Sequence, residues 1–182
     1  MDPKRLVRVS KFLSLHLRHD PAALGLTLEP GGWVSVAALL AGAAAKRFPI
    51  TRDELDAVVR TSDKQRFTFD ETGEKIRANQ GHSAEVDLQL EPSEPPAELY
   101  HGTAGRFLAD ILRDGLNKMA RHHVHLSADT ATASTVGTRH GRLVLLAVDA
   151  ATMRAAGFDF FRSANGVWLV DAVPPRYLRV IE

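Results

Sequence analysis

The 182-residue sequence contains no cysteine, and this excludes several kinds of chemistry. Without a thiol the chain can form no disulfide framework, no thiolate zinc site and no cysteine nucleophile. The longest apolar stretch, residues 36–45, is interrupted by Gly42 and is far too short to span a bilayer. The chain also opens without the basic and then apolar segment of a secretory signal. We therefore expect a cytoplasmic protein with no membrane association.

An excess of charge of one sign is also missing. The 23 Lys and Arg residues nearly balance the 22 Asp and Glu residues, giving a net charge of +1. This balance argues against a protein that binds nucleic acid through overall charge alone. Of the 23 cations, 17 are Arg, whose planar guanidinium suits phosphate, although a GC-rich coding sequence would produce the same bias. The common nucleotide-binding loops, Gly-x4-Gly-Lys-Ser/Thr and Gly-x-Gly-x-x-Gly, are absent, so any nucleotide must be bound differently.

One change in composition divides the chain. Three prolines fall within residues 91–98, where neither a helix nor a central strand can continue. We predict a first lobe over residues 1–92, a linker over 93–98 and a second lobe over 99–182. A long surface loop inside a single domain is the alternative interpretation.

The first lobe reads as helices followed by a hairpin. Leu6, Val9, Leu13 and Leu17 have helical spacing and predict a first helix that ends before Asp20-Pro21. Further helices are predicted over residues 36–46 and from Thr51, where Glu54 completes a capping box. Residues 26–28 and 33–34 are predicted as short strands. Residues 66–69 and 75–78 are predicted as a hairpin, so the order is that of a winged helix, which many small α+β domains share.

The second lobe reads as mostly strands. Strands are predicted at residues 99–101, 123–126, 143–148, 158–161, 167–170 and 178–181. Helices are predicted from Gly105 to Arg113, closed by Gly115, and from a cap at Asp129 to Val136. We therefore predict an α+β protein whose second lobe is mixed and mostly β.

Several polar groups are candidates for binding an anion. Arg18-His19 ends the first helix, where a cation is also favoured by the helix dipole alone. Arg66 is another candidate for binding an anion, and the alternative interpretation is that it belongs to a solvated strand face. The segment Asn79 to Ser83 is either a polar turn or a loop that places His82 and Ser83 near a phosphate.

Two further segments belong to the second lobe. Arg121-His-His-Val-His125 would place Arg121, His123 and His125 on one face if the segment were a strand. Two histidines without a nearby carboxylate are too few for a metal, so we predict a polar wall for an anionic ligand and no metal site. In His101-Gly-Thr103 the glycine would let a ligand approach the backbone.

Together these segments resemble the RNA 2′-phosphotransferases of the NAD-dependent tRNA 2′-phosphotransferase type. Gly31-Gly-Trp-Val34 adds to the match, and seven other blocks follow the family order over nearly the whole chain. They are Leu17-Arg-His19, Asp63-Lys-Gln-Arg-Phe67, Ile76-Arg-Ala-Asn-Gln-Gly-His-Ser83, Tyr100-His-Gly-Thr103, Arg121-His-His-Val-His-Leu-Ser127, Val136-Gly-Thr-Arg-His-Gly141 and Asn165-Gly-Val-Trp-Leu169.

The resemblance implies an N-terminal winged helix that binds RNA and a C-terminal NAD-binding lobe similar to ADP-ribosyltransferases. It implies that NAD is a co-substrate and that the partner is tRNA-like RNA bearing a 2′-phosphate. Separately, we expect the protein to be a monomer. The catalytic set it implies falls on Arg18, His19, Arg66 and Arg121. The NAD-binding residues are taken from the same blocks; they are His101, Gly102, Thr103, Ser127, Asp129, Gly137, Arg139 and His140.

The implied reaction has two steps. The RNA 2′-phosphate displaces nicotinamide from NAD, and the ribose O2″ then attacks the phosphorus to release 2′-OH RNA and ADP-ribose 1″,2″-cyclic phosphate. Protein-modifying relatives use a glutamate near the third motif, whereas the matching stretch here begins at Asn165. From residue 97 onward the only glutamates are Glu98 and Glu182, which fits an acceptor that is already an anion. As a hypothesis, His19 protonates the departing 2′ oxygen while Arg18, Arg66 and Arg121 bind the phosphate.

Two other classes are weighed against this one. An ADP-ribosyltransferase acting on terminal nucleic-acid phosphates could use the same anion pocket, whereas a protein acceptor is less compatible with the missing glutamate. A winged-helix DNA-binding regulator should carry cations on its third helix. That helix instead contains Asp53, Glu54 and Asp56, which ranks the regulator last.

Overall fold

A computed structural model describes residues 2–62, 64–138 and 141–181, which form six α-helices and eleven β-strands. The strands pair antiparallel in the described ranges, and the mixture of helix and sheet confirms the α+β class. The chain divides into two compact units, Met1–Gln89 and Leu90–Glu182, and each has a hydrophobic core of its own. No helix in these ranges is long and apolar enough to cross a membrane.

The first unit combines three helices with a three-stranded sheet. In chain order the elements are α1 (Pro3–Arg18), β1 (Trp33–Ser35), α2 (Val36–Ala45), α3 (Arg52–Thr61), β2 (Phe67–Phe69) and β3 (Lys75–Ala78). The sheet has the order β1-β3-β2, so the hairpin β2–β3 is extended by the strand that precedes α2. The predicted hairpin and all three predicted helices are confirmed.

Helix α1 follows from its sequence pattern and its caps. Asp2 accepts a hydrogen bond from the Lys4 backbone N–H at 3.0 Å, and Pro3 occupies the first turn, where no N–H is needed. Val9, Leu13 and Leu17 are fully buried in the core. These three residues therefore form one inward-facing side of the helix, as the three- and four-residue spacing predicts.

Helix α3 begins with the predicted capping box. The Thr51 hydroxyl accepts from the Glu54 N–H at 3.2 Å, and the Glu54 carboxylate accepts from the Thr51 N–H at 3.1 Å. Arg5 donates to the same carboxylate at 2.7 Å, which ties α1 to α3. This bond from Arg5, helped by the capping bond, lowers the pKa of Glu54 despite partial burial.

The predicted strand at residues 26–28 is wrong. Leu26 is buried in the core, but the segment forms no ladder among the described residues. The turn at Pro30–Gly32 reverses the chain so tightly that only Glu29 and Trp33 pair across it. The Gly31 N–H donates instead to the Asp87 carbonyl at 2.7 Å. Apolar residues here fill the core without joining a sheet.

The second unit is built mainly from short antiparallel strands. In chain order the elements are β4 (Glu98–Ala104), α4 (Leu108–Asp114), β5 (Leu116–Asn117), β6 (Val124–Leu126), α5 (Thr130–Gly137), β7 (Leu143–Asp149), α6 (Ala150–Ala155), β8 (Phe160–Arg162), β9 (Trp168–Val170), β10 (Ala172–Val173) and β11 (Leu178–Val180). The sheets have the orders β11-β7-β4, β6-β9-β8 and β10-β5. The pair β5–β10 and helix α6 were not predicted, because each is too short to show a hydrophobic period.

Residues predicted as a linker make backbone contacts with the second unit. The Ser93 N–H donates to the Phe160 carbonyl at 2.7 Å, and Glu98 already forms the first residue of β4. The division between the compact units lies at Gln89 and Leu90, ahead of the prolines.

Candidate functional site

The C-terminal end of α1 carries two of the predicted catalytic residues. Arg18 is the last helical residue, and His19 caps the helix with its N–H on the Leu15 carbonyl. The N–H groups of Ser83 and Ala84 both donate to the Arg18 carbonyl at 2.9 Å. These two bonds satisfy a carbonyl that the end of a helix leaves unpaired. They also hold the loop after β3 beside Arg18 and His19.

Ser83 contacts the side chain of His19 directly. The Ser83 hydroxyl and His19 Nδ1 are hydrogen-bonded at 2.8 Å, and both residues are exposed. His82, the neighbour of Ser83, is only 1 % exposed and packs beneath Gly32. Of the two residues proposed to face a phosphate, Ser83 therefore meets solvent and His82 belongs to the interior.

Arg66 lies next to Arg18. An Arg18 Nη2 donates to the Arg66 carbonyl at 3.4 Å, and the Arg66 guanidinium donates to the Ser62 hydroxyl at 3.3 Å. The buried side chain of Asn79 holds this segment by donating to the Gln65 carbonyl at 2.5 Å. The Asn79 N–H donates to the Arg66 carbonyl at 2.9 Å, and Gln65 itself has a left-handed φ of 39°.

Three of the four predicted catalytic residues thus come together in the first unit. We call Arg18, His19, Arg66 and Ser83 the anion cluster. Ser83 and the supporting Asn79 stand in a matching block. The sequence gave Ser83 as one of two residues of a loop near a phosphate, as the alternative to a polar turn, and it assigned Asn79 no role. Their signal was a run of polar residues directly after a strand, and that pattern does not say which side chain reaches the histidine.

In the second unit the triplet His101-Gly-Thr103 lies in β4. Because side chains alternate along a strand, His101 and Thr103 share one face of β4 and Gly102 lies on the other. His101 Nδ1 donates to the His125 carbonyl at 3.1 Å, so its Nε2 is the acceptor nitrogen in the neutral ring. Burial, with a smaller effect from the charge of Arg121, lowers the pKa of His101, and the bond to His125 only partly opposes this. His101 is therefore neutral at neutral pH.

Gly102 and Gly137 allow helix α5 to pack directly on β4. A Cβ at Gly102 would lie 1.9 Å from the Ala133 carbonyl oxygen, and a Cβ at Gly137 would lie 2.8 Å from the Gly102 carbonyl carbon. The space beside Gly102 is thus filled by the protein's own backbone. The structure gives both glycines a packing function, whereas the sequence indicated Gly102 as a place where a ligand approaches.

The sequence pattern suggested a strand that includes Arg121, but Arg121 lies outside any strand. Strand β6 begins at Val124, and Arg121 closes a turn with its N–H on the Lys118 carbonyl at 3.0 Å. The shared strand face with His123 is therefore wrong, and His123 packs against the Phe161 ring instead. Arg121 Nη1 donates to His125 Nδ1 at 3.1 Å, so His125 accepts through that nitrogen.

His125 is the residue that connects this part of the unit. Its side chain accepts from Arg121, and its backbone carbonyl accepts from His101. The sequence placed His125 in the histidine cluster but did not choose it as a site residue. Spacing alone could not have separated it from His122 and His123.

Two of the remaining predicted NAD-binding residues, Ser127 and Asp129, have structural partners. Ser127 and Tyr100 exchange two backbone hydrogen bonds that join the end of β6 to β4. Asp129 caps α5 by accepting from the Thr132 N–H at 2.7 Å, and this bond is the main reason why the pKa of Asp129 is lowered. Arg139 and His140 lie outside the described residues, as does Asp63 of the segment that contains Arg66. Within the described ranges, no three His, Asp or Glu side chains are grouped as metal ligands.

The family model described as RNA 2′-phosphotransferase, Tpt1 / KptA family, matches residues 4–172. The chain belongs to this family. The resemblance seen in the sequence blocks is thereby confirmed, and the match to the Tpt1 / KptA family includes the anion cluster, Arg121 and the β4 triplet.

Individual relatives of the Tpt1 / KptA family are similar over their whole length. A probable RNA 2′-phosphotransferase of Nostoc punctiforme is 61 % identical over 181 residues, covering 100 % of both chains. Proteins with the same name from Herpetosiphon aurantiacus and Streptomyces griseus are 60 % and 56 % identical, each covering 98 % of both chains. The two compact units described here thus both lie inside the region shared with these relatives.

Proposed function

We propose that this protein removes an internal 2′-phosphate from RNA and transfers it to NAD. The products are 2′-OH RNA, nicotinamide and ADP-ribose 1″,2″-cyclic phosphate. The observation that carries the proposal is the anion cluster, in which Arg18, Arg66 and His19 are brought together in a member of the Tpt1 / KptA family. The substrate class follows the names of the relatives, and tRNA-like RNA is its proposed form.

Within the anion cluster, each side chain has a chemical role that suits a phosphate. Arg18 and Arg66 each offer several N–H donors in a planar fork and bind the charged oxygens. His19 donates a proton or hydrogen bond to the 2′ oxygen as it leaves the phosphorus. Ser83 holds the His19 ring through Nδ1, which directs Nε2 toward the substrate.

The second unit contains residues that fit NAD. A neutral His101 with its Nδ1–H on a carbonyl presents Nε2 as an acceptor for a ribose hydroxyl, and Thr103 lies on the same strand face. Ser127, Asp129, Arg139 and His140 are proposed as further NAD contacts from the matching blocks. Bound NAD supplies the electrophilic ribose carbon. Arg121 is proposed to balance negative charge during the transfer.

We also propose a specific fold for each of the two units. The order of elements in the first unit, three helices with the sheet β1-β3-β2, supports a winged helix. The antiparallel strands of the second unit, with α5 packed on β4, support an ADP-ribosyltransferase-like lobe. Each assignment would be tested by comparison with an experimental structure of this chain.

The experiment is incubation with NAD and a short RNA carrying one internal 2′-phosphate. We expect loss of the 2′-phosphate together with one nicotinamide and one ADP-ribose cyclic phosphate for each RNA processed. A 5′-phosphorylated strand without a 2′-phosphate serves as the control. ADP-ribose transfer to that control, with the internal 2′-phosphate untouched, would favour a terminal-phosphate ADP-ribosyltransferase and overturn the proposal.

A further inference from the structure

Helix α1 carries cations along one side and no carboxylate between its ends. Lys4, Arg8 and Lys11 are exposed, and each follows the previous one by three or four residues. With 3.6 residues per turn, they and Arg18 fall within an arc of about 80° on the helix surface. We call Lys4, Arg8 and Lys11 the basic stripe. The basic stripe leads along α1 to the anion cluster, because Arg18 is the next Lys or Arg on the same side of the helix.

The opposite side of α1 is the apolar one. Val9, Leu13 and Leu17 are buried in the core of the first unit, so the basic stripe faces away from the packed surface. Leu15, which lies within the same arc, is 48 % exposed. The stripe is therefore a solvent-facing surface of the first unit and not a set of cations that packing has pulled inward.

Within the described part of the chain, no carboxylate forms an ion pair with the basic stripe. Lys4 and Lys11 form no ion pair with the described residues, and Arg8 only lies over the Phe48 ring at 5.8 Å. Arg5, on another side of α1, pairs instead with Glu54 at 2.7 Å. The nearest acids along the chain are engaged at the two helix ends, where Asp2 accepts from the Lys4 N–H and Asp20 from the Ala23 N–H.

We propose that the basic stripe binds the phosphate backbone of the RNA strand next to the 2′-phosphorylated nucleotide. From Lys4 to Arg18 the helix rises by about 21 Å, which exceeds what a single phosphate can contact. Lysine and arginine side chains that reach backbone phosphates carry no base preference, so the stripe extends the contact without restricting sequence. This inference rests on the proposed function, since it takes the anion cluster as the place of the 2′-phosphate.

The test is the salt dependence of RNA binding by the full chain. The triple variant Lys4→Gln, Arg8→Gln and Lys11→Gln is compared with Arg106→Gln, Arg113→Gln and Arg176→Gln, three exposed cations of the second unit that change the net charge equally. The probe is a single-stranded RNA of about ten nucleotides with one internal 2′-phosphate. Glutamine keeps the helix propensity of Lys and Arg, so α1 should remain folded.

We expect the stripe variant to lower the slope of log affinity against log salt by about 2, from three phosphates at about 0.7 each on a single strand. Over a fourfold rise in salt, the wild type should lose about 20-fold more affinity than this variant. The second-unit control should keep the wild-type slope. If the triple variant is poorly folded by circular dichroism, Lys11→Gln alone should still lower the slope by about 0.7.

Turnover of a 2′-phosphorylated dinucleotide separates this inference from the proposed function. The dinucleotide is too short to reach the basic stripe, so the stripe variant should process it at the wild-type rate. If the triple substitution leaves the slope of log affinity against log salt unchanged, the basic stripe does not bind the RNA backbone, whatever the rate of dinucleotide turnover. Failure of the wild type to process the dinucleotide with NAD overturns the proposed function, while the binding slopes still decide the stripe.

Discussion

At the scale of single residues, the bond between Ser83 and His19 adds a positioning group to the site. A histidine that gives or takes a proton works well only when its ring is held toward the reacting atom. The 2.8 Å contact with the Ser83 hydroxyl holds Nδ1, and the loop bearing Ser83 is itself fixed by two N–H groups on the Arg18 carbonyl. We therefore expect Ser83 to act through His19, without contacting the substrate.

Replacing Ser83 tests this role. Ser83→Ala removes one hydrogen bond, worth about 1–1.5 kcal/mol, and should lower kcat for 2′-phosphate removal about tenfold. The KM for NAD should change less than about twofold, because proposed NAD contacts do not include this loop. Ser83→Thr keeps the hydroxyl and should restore most of the activity. An unchanged kcat in Ser83→Ala, measured by single-turnover kinetics, would remove Ser83 from the mechanism.

At the scale of secondary-structure elements, the close contact of α5 and β4 depends on glycine. Gly102 in the strand and Gly137 in the helix lie against each other's backbone. Any side chain at Gly102 would force the two elements apart, because a backbone carbonyl cannot move aside like the end of a flexible side chain. Strand β4 carries His101 and Thr103, so its contact with α5 also positions these proposed NAD-binding residues.

The substitution Gly102→Ala should therefore be strongly destabilising. Its Cβ would lie 1.9 Å from the Ala133 oxygen, and we expect a loss of at least about 3 kcal/mol in the free energy of unfolding. Gly105→Ala, at the residue directly after β4, is the matched control. There the nearest atoms to a new Cβ are 3.8 Å away, and we expect a change within about 0.5 kcal/mol. Similar denaturation midpoints for the two variants would refute this packing argument.

At the scale of the whole molecule, the residues of the proposed reaction are divided between the two compact units. Arg18, His19 and Arg66 belong to the first unit, whereas Arg121 and the β4 triplet belong to the second. Each unit has its own core, and the net charge of +1 conceals the local concentration of cations in the anion cluster. If one reaction needs both units, removing a charge from either should reduce it.

Arg66→Gln and Arg121→Gln test this division. Each loses a hydrogen-bonding charge worth about 1.5–3 kcal/mol, so kcat/KM should fall by about 10- to 100-fold in both variants. Arg121 is exposed, and its loss should leave thermal stability close to that of the wild type. Arg113→Gln, an exposed cation on α4, is the control and should keep full activity. Wild-type turnover in Arg121→Gln would show that the second unit does not contribute this charge.

The sequence alone was sufficient for the parts of the protein that local interactions define. The period of the apolar residues in α1, the capping box of α3 and the hairpin β2–β3 act over a few residues, and they were predicted correctly. The matching blocks also sufficed for the family. The strand expected at residues 26–28 failed because apolar residues fill a core equally well without a partner strand.

Only the tertiary structure decided which polar side chains meet. Ser83 reaches His19 across 64 positions of the chain, and Asn79 reaches Gln65 across 14. The turn before β6 places Arg121 on His125, and α5 occupies the space beside Gly102. These contacts depend on how separate elements pack, which no local period or cap encodes. The sequence by itself determined the kinds of residue available for binding a phosphate, whereas packing determined their partners and orientation.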